Sequence, residues 1–143
     1  MPCLYYGDEL GMCDWPGLRD RDPNRTPMAW TPARNGGFST APDPLLVLPP
    51  ITAPGYDYRV VNVEVQKQLP GSLLNWHRRM LTCRRLLPAL RHGSFRLLHS
   101  PHPGVLVYLR CTEAMTVLVA ANEDLIFRVQ MGNHIRMASR KCD

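Results

Sequence analysis

One stretch, residues 3–30 (CLYYGDELGMCDWPGLRDRDPNRTPMAW), limits what this chain can fold into more than any other. Its first four residues are apolar and aromatic and stop at Gly7, which reads as a short buried strand over residues 3–6. From Asp8 onward the chain turns polar and runs into a long loop crowded with Asp and Arg. A buried strand that opens into a polar loop is how an α/β barrel places an active site, because the strand holds the loop at the barrel mouth. Such a strand is normally covered by helices on one side and flanked by other strands. No such neighbour precedes residue 3, so the expectation is a piece of a larger barrel.

The loop carries the residues with chemistry in them. Asp8 and Glu9 are adjacent, whereas a retaining glycosidase pair must face each other across a bond, roughly 5 Å apart. Neighbours in an extended chain point to opposite sides, so these two carboxylates are expected to hold loop backbone or a nearby Arg. Asp14, Arg19, Asp20, Arg21 and Asp22 alternate in sign and can pair among themselves. They lack the spacing and turn glycine of a calcium loop, so no metal is expected. Arg25 precedes Thr26-Pro27, and Pro27 stiffens the backbone beside it. A guanidinium there could hold two sugar hydroxyls or clamp a loop aspartate; the residues alone favour neither.

Proline, 14 residues in 143, is concentrated between Pro16 and Pro70, which predicts irregular chain there. Residues 30–58 form a long Pro/Gly-rich connection, with a turn at Asn35-Gly36-Gly37 and a short apolar patch at 45–48 that reads as an anchoring strand. Tyr56 and Tyr58 either stack on a sugar or pin this loop; pinning is the commoner use. VVNVEVQ (60–66) reads as extended or weakly helical. Ser72 is a good N-cap for a helix that Pro88 stops near Leu87, with Leu73, Trp76, Met80, Leu81, Cys83 and Leu87 at helical spacing. His77 reads as a surface or core-edge histidine. After Gly93 the period becomes two, predicting antiparallel strands over 94–98, 104–111 and 115–121. Beyond Phe127 no clean period remains.

The excess behind the formal net charge of +5 reads as a cluster on a helix (Arg78, Arg79, Arg84, Arg85, Arg91, Arg96), a solvated surface rather than a nucleic-acid face. Five cysteines without a C-x-x-C pair argue against a disulfide framework or a zinc site, and fit reduced thiols in a cytoplasmic protein. No signal segment and no apolar run of spanning length is present, so no membrane partner is expected.

The ordered blocks YYGDELGM, RTPMAW, NGGFS, VNVEVQ and SLLNWHRRM, within residues 2–121, resemble the α-amylase superfamily, glycoside hydrolase family thirteen, and within it the trehalose synthases. The resemblance implies an α/β fold: the last strand, long loop and last helix of a (β/α)8 barrel, then the incomplete start of an antiparallel β domain. The implied boundaries are 1–92 for the barrel end, 93–128 for the partial β domain and 129–143 for a frayed tail. It also implies Arg25 as a substrate-binding residue, holding glucose beside the scissile bond. The parent would interconvert maltose and trehalose by intramolecular transglucosylation; an oligo-1,6-glucosidase-like α-glucosidase or a non-catalytic glucan-binding module are the alternatives. Family members use a nucleophilic Asp, an acid Glu and a second Asp from earlier strands. None of those motifs occurs here, so no catalytic residue, cofactor or metal is assigned and the chain by itself is expected to be inactive. Ala29 also stands where relatives often carry Gln.

Overall fold

The structure, a computed structural model, describes residues 3–15, 17–122, 127–131 and 135–138, from Asn122 onward as backbone only. Contacts divide the chain into two units, Met1–His77 and Arg78–Asp143.

The first unit is built from tight turns around a small core. Gly7 and Gly11, at φ 93° and 70°, bracket a single 3-10 turn, Asp8–Leu10. Gly7 has a second constraint: a Cβ there would lie 2.8 Å from the Met12 sulfur. The turn drives Leu10 inward to pack with Val63 and Leu74, while Met12, Met28 and Val61 close around them. Residues 3–6, expected to form a buried strand, form none; Leu4, Tyr5 and Tyr6 are 51%, 49% and 42% exposed. A strand exists only through a ladder of backbone partners. Among the described residues of this unit there is no strand to pair with, and the Tyr5 amide donates instead to the Asp8 carboxylate at 2.9 Å.

Of residues 60–66, read as extended or weakly helical, 63–66 are helical and open α1 (Val63–Gln68). Asn62, fully buried, caps α1 by accepting the Val65 amide at 2.9 Å. Its own amide group donates to the Tyr58 carbonyl at 2.8 Å. Gln66 then ties three segments together: its Nε2 donates to the Leu10 carbonyl at 2.7 Å and its Oε1 accepts the Leu74 amide at 3.0 Å. Ser72 caps α2 (Leu73–Leu86), its Oγ accepting the Asn75 amide at 3.2 Å. The helix starts as expected, but its buried positions are Leu74, Cys83 and Leu87, just past its end, while Leu73 and Leu81 stay 40% and 51% exposed. Helical spacing defines a stripe; which edge of the stripe is covered depends on what packs against it.

Pro88 ends α2 and at once opens α3 (Pro88–His92) at its first position, where its missing N–H costs nothing. Among the described residues of the second unit five strands follow: β1 (Ser94–Leu98), β2 (Val105–Cys111), β3 (Thr116–Asn122), β4 (Phe127–Met131) and β5 (Ile135–Ala138). They pair antiparallel in sequence order. The register sets Leu97 opposite Tyr108 and Tyr108 opposite Val119. Val117 and Val119 pack with Cys83, Leu87 and Ala89, bordered by Leu90, Tyr108 and Met115. Gly93 is required here, since a Cβ would come 2.5 Å from the Ala89 carbonyl oxygen. Arg84 and Arg110 donate to the carbonyls of Leu90 and Ala89 at the C-terminal end of α3, where a cation is favoured. Arg78, Arg79, Arg85, Arg91 and Arg96 are exposed.

The first three strands lie within a residue of where the alternation places them. Where the pattern faded beyond Phe127, the backbone forms β4 and β5; residues 132–134 and 139–143, including Cys142, lie outside the described residues. A ladder can propagate from β3 by backbone pairing alone, which a weak side-chain period does not forbid.

Candidate functional site

The site is assembled in the first unit from the turn at 8–10, the loop at 19–31 and the long connection that follows. Asp8 and Glu9 serve the backbone: the Glu9 carboxylate accepts the Gly7 amide at 3.0 Å, as the Asp8 carboxylate accepts that of Tyr5. They therefore shape the turn, which is a 3-10 turn and not the extended chain the spacing argument assumed.

Arg25 follows the 3-10 turn Asp22–Asn24, its amide bonding to the Asp22 carbonyl at 3.0 Å. Its side chain is exposed, and among the described residues the guanidinium forms no hydrogen bond or ion pair. The clamp on a loop aspartate, the other use open to it, is not formed among them. Its charge reaches Tyr6. Partial burial pushes the Tyr6 phenol above its usual value; a hydrogen bond with Tyr5 and the Tyr5 charge add to the rise, and Arg25 opposes it. The Tyr5 and Tyr6 rings are 4.4 Å apart. Among the described residues, Asp14, Arg19, Asp20, Arg21 and Asp22 form no ion pair with one another, and no cluster of His, Cys, Asp and Glu could hold a metal.

Asn35 is the hinge pin of the long connection. It is 3% exposed, sits at φ 54°, and its Nδ2 donates to the carbonyls of Ser39 and Ala41 at 3.0 and 2.8 Å. Next to it the Gly36 carbonyl accepts the amides of Trp30 and Thr31 at 2.7 and 3.0 Å. Ala29 is buried, its carbonyl accepting the Val63 amide at 3.1 Å. Tyr58 is buried and its amide is bonded to the Ile51 carbonyl, so it pins the loop; Tyr56 is 47% exposed. The patch at 45–48 makes no strand among the described residues. It forms instead one wall of a cleft of about 700 Å³, with Tyr6, Glu9, Met28, Trp30 and Phe38 on the others. Neither this cleft nor the buried Gln66 brace was read from the residues. The one available signal was the Asn-Gly-Gly turn.

The profile of the alpha-amylase catalytic domain matches residues 1–93 of this chain. This chain belongs to the alpha-amylase family. Its relatives include the trehalose synthase/amylase TreS of Mycobacterium tuberculosis, 53% identical over 109 residues, which are 76% of this chain and 18% of the relative. A probable oligo-1,6-glucosidase of Bacillus subtilis is 34% identical over 73% of this chain and 17% of its own. Among solved structures, an isomaltulose synthase from Erwinia rhapontici NX5 in complex with sucrose superposes with a TM-score of 0.69 at 26% identity. The superposition covers 86% of this chain and 27% of that one. This alpha-amylase family chain thus spans about a fifth of the length of the curated relatives it matches. Family membership makes residues 3–6, the loop after them and α2 parts of a (β/α)8 barrel. Among the described residues, no helix is long and apolar enough to cross a membrane.

Proposed function

We propose that residues 1–92 are the C-terminal end of a trehalose synthase-type barrel, and that residues 93–128 open its β domain. The parent activity is the interconversion of maltose and trehalose by intramolecular transglucosylation. The observation that carries this reading is the gap in identity: 53% to the trehalose synthase against 34% to the oligo-1,6-glucosidase. Arg25 supplies the substrate contact. An exposed guanidinium without a carboxylate partner beside a tyrosine retains its fork of donors for sugar hydroxyls. Donors aimed at the reacting sugar act in catalysis by holding it in place while charge develops.

The family's nucleophilic Asp and acid Glu motifs do not occur in this sequence, so incubation with maltose is expected to yield neither trehalose nor glucose above blank. Turnover would overturn the reading of Asp8 and Glu9 as turn residues. The positive test joins the preceding part of the M. tuberculosis relative to the full 143-residue chain in one polypeptide. Conversion of maltose to trehalose is expected, and Arg25→Ala is expected to lower it about 10²-fold, the loss typical of one well-placed donor. Full activity in that variant would remove Arg25 from the site; hydrolysis of isomaltose without trehalose formation would move the parent to the oligo-1,6-glucosidases.

A further inference from the structure

We propose that a pocket in the second unit, between α2, α3 and the sheet, binds a small amphipathic carboxylate. Arg84 and Arg110 hold the carboxylate, and an aromatic or short aliphatic body lies against Phe95 and Tyr108. The pocket lies apart from the sugar-handling loop in sequence, and the proposal does not depend on the function proposed above.

The pocket has a volume of about 330 Å³, the small end of the range for small-molecule sites, and every residue lining it belongs to the second unit. Strand register builds one wall. Phe95 pairs with Arg110 and Tyr108 with Val119, and alternation puts all four on one face of the sheet. The Phe95 and Tyr108 rings lie 5.1 Å apart and form its aromatic part. The opposite wall comes from α2, where Met80, Leu81 and Arg84 share a face by helical spacing. Phe95 and Leu81 are 58% and 51% exposed, so a ligand body has apolar surface left to cover.

Two features select the head group. The polar side chains on the pocket are those of Arg84, Arg110 and Tyr108. A guanidinium only donates, so a sugar hydroxyl placed there would leave its own proton without an acceptor, whereas an ionised carboxylate only accepts. The second feature is unspent charge. Both arginines are partly buried, and among the described residues no carboxylate pairs with either. One N–H of each is used on consecutive carbonyls at the end of α3: Arg110 Nε donates to Ala89 at 3.2 Å and Arg84 Nη1 donates to Leu90. These bonds hold the two guanidiniums at the same end of α3 and leave their other N–H groups for an anion. A cation drawn partly out of water gains more from a bonded anion than an exposed one does. The carbonyl end of α3 takes up part of the positive charge, so one negative charge, rather than the two of a phosphate, balances what remains.

The test is isothermal titration calorimetry on the full 143-residue chain with 4-phenylbutyrate, and with 4-phenylbutyramide as its uncharged match. Saturable one-to-one binding of the carboxylate is expected, with the amide about tenfold weaker. Arg110→Gln is expected to weaken the carboxylate about tenfold and to leave the amide unchanged. Phe95→Ala, at a position exposed enough to spare the fold, is expected to weaken both about fivefold. The amide comparison and Phe95→Ala leave the end of α3 untouched, so they decide the matter even if Arg110→Gln disturbs folding. No saturable binding, equal affinity for carboxylate and amide, or indifference to the loss of the Phe95 ring would each overturn the proposal. So would displacement of the probe by inorganic phosphate, which would make this a bare anion site, or by maltose, which would give the pocket to sugar.

Discussion

Arg25 and Tyr6 form a pair that can be tested without substrate. Arg25 opposes the rise in the Tyr6 phenol pKa, so Arg25→Ala is expected to raise it further. The check is tyrosinate absorbance against pH, with Tyr6→Phe as the subtraction; an unchanged titration would mean that the guanidinium does not face the ring. The linkage follows from the same direction. A folded-state pKa above the ordinary 10.0 means that folding favours the protonated phenol. That contribution is in force below pH 10 and fades as pH rises through the folded value. Asn35 makes a second residue-scale case. Asn35→Ala loses two bonds to Ser39 and Ala41 and leaves an alanine at φ 54°, so a loss of about 3 kcal/mol is expected in urea unfolding. Asn35→Gly, which tolerates that backbone, is expected to recover about 1 kcal/mol of it. Equal losses in both variants would show that left-handed strain is no part of the effect. At this scale the sequence was partly legible. Asp8 and Glu9 hold loop backbone as expected, although in a 3-10 turn and not in extended chain. The choice at Arg25 stayed open because a guanidinium suits a carboxylate as well as a hydroxyl, and nothing local selects between them.

Elements were legible where a local rule decides them. Ser72 caps α2 because a hydroxyl can reach the orphan amides of the first turn, and no distant partner is needed. Ser72→Ala is expected to cost about 1 kcal/mol, seen as a lower midpoint in thermal melting followed by circular dichroism; an unchanged midpoint would exclude the cap as a contributor. The three strands from Ser94 to Asn122 follow alternation for the same reason: each pairs with its neighbour in sequence through a short turn. Elements defined by distant partners were not legible. Residues 3–6 have strand composition, but composition does not supply a ladder. The 45–48 patch is apolar because it walls a cleft, not because it pairs. β4 and β5 are carried by pairing to the strand before them, although their own periodicity is poor.

For the whole molecule, the ordered motifs carried the family and the fold class. Family membership came from residues spread over about two thirds of the chain. By itself the sequence determined the turn at Asn35, the cap at Ser72, the alternation of the sheet and the kinship, because each depends on residues close together or on a pattern held in order. Only the tertiary structure decided that Gln66 braces Leu10 against Leu74, which edge of α2 is buried, and that Trp30, Phe38 and residues 45–48 enclose an open apolar cleft. The reason is physical: burial is a relation between surfaces far apart in the chain, and a residue's type says that it can be covered but not by what.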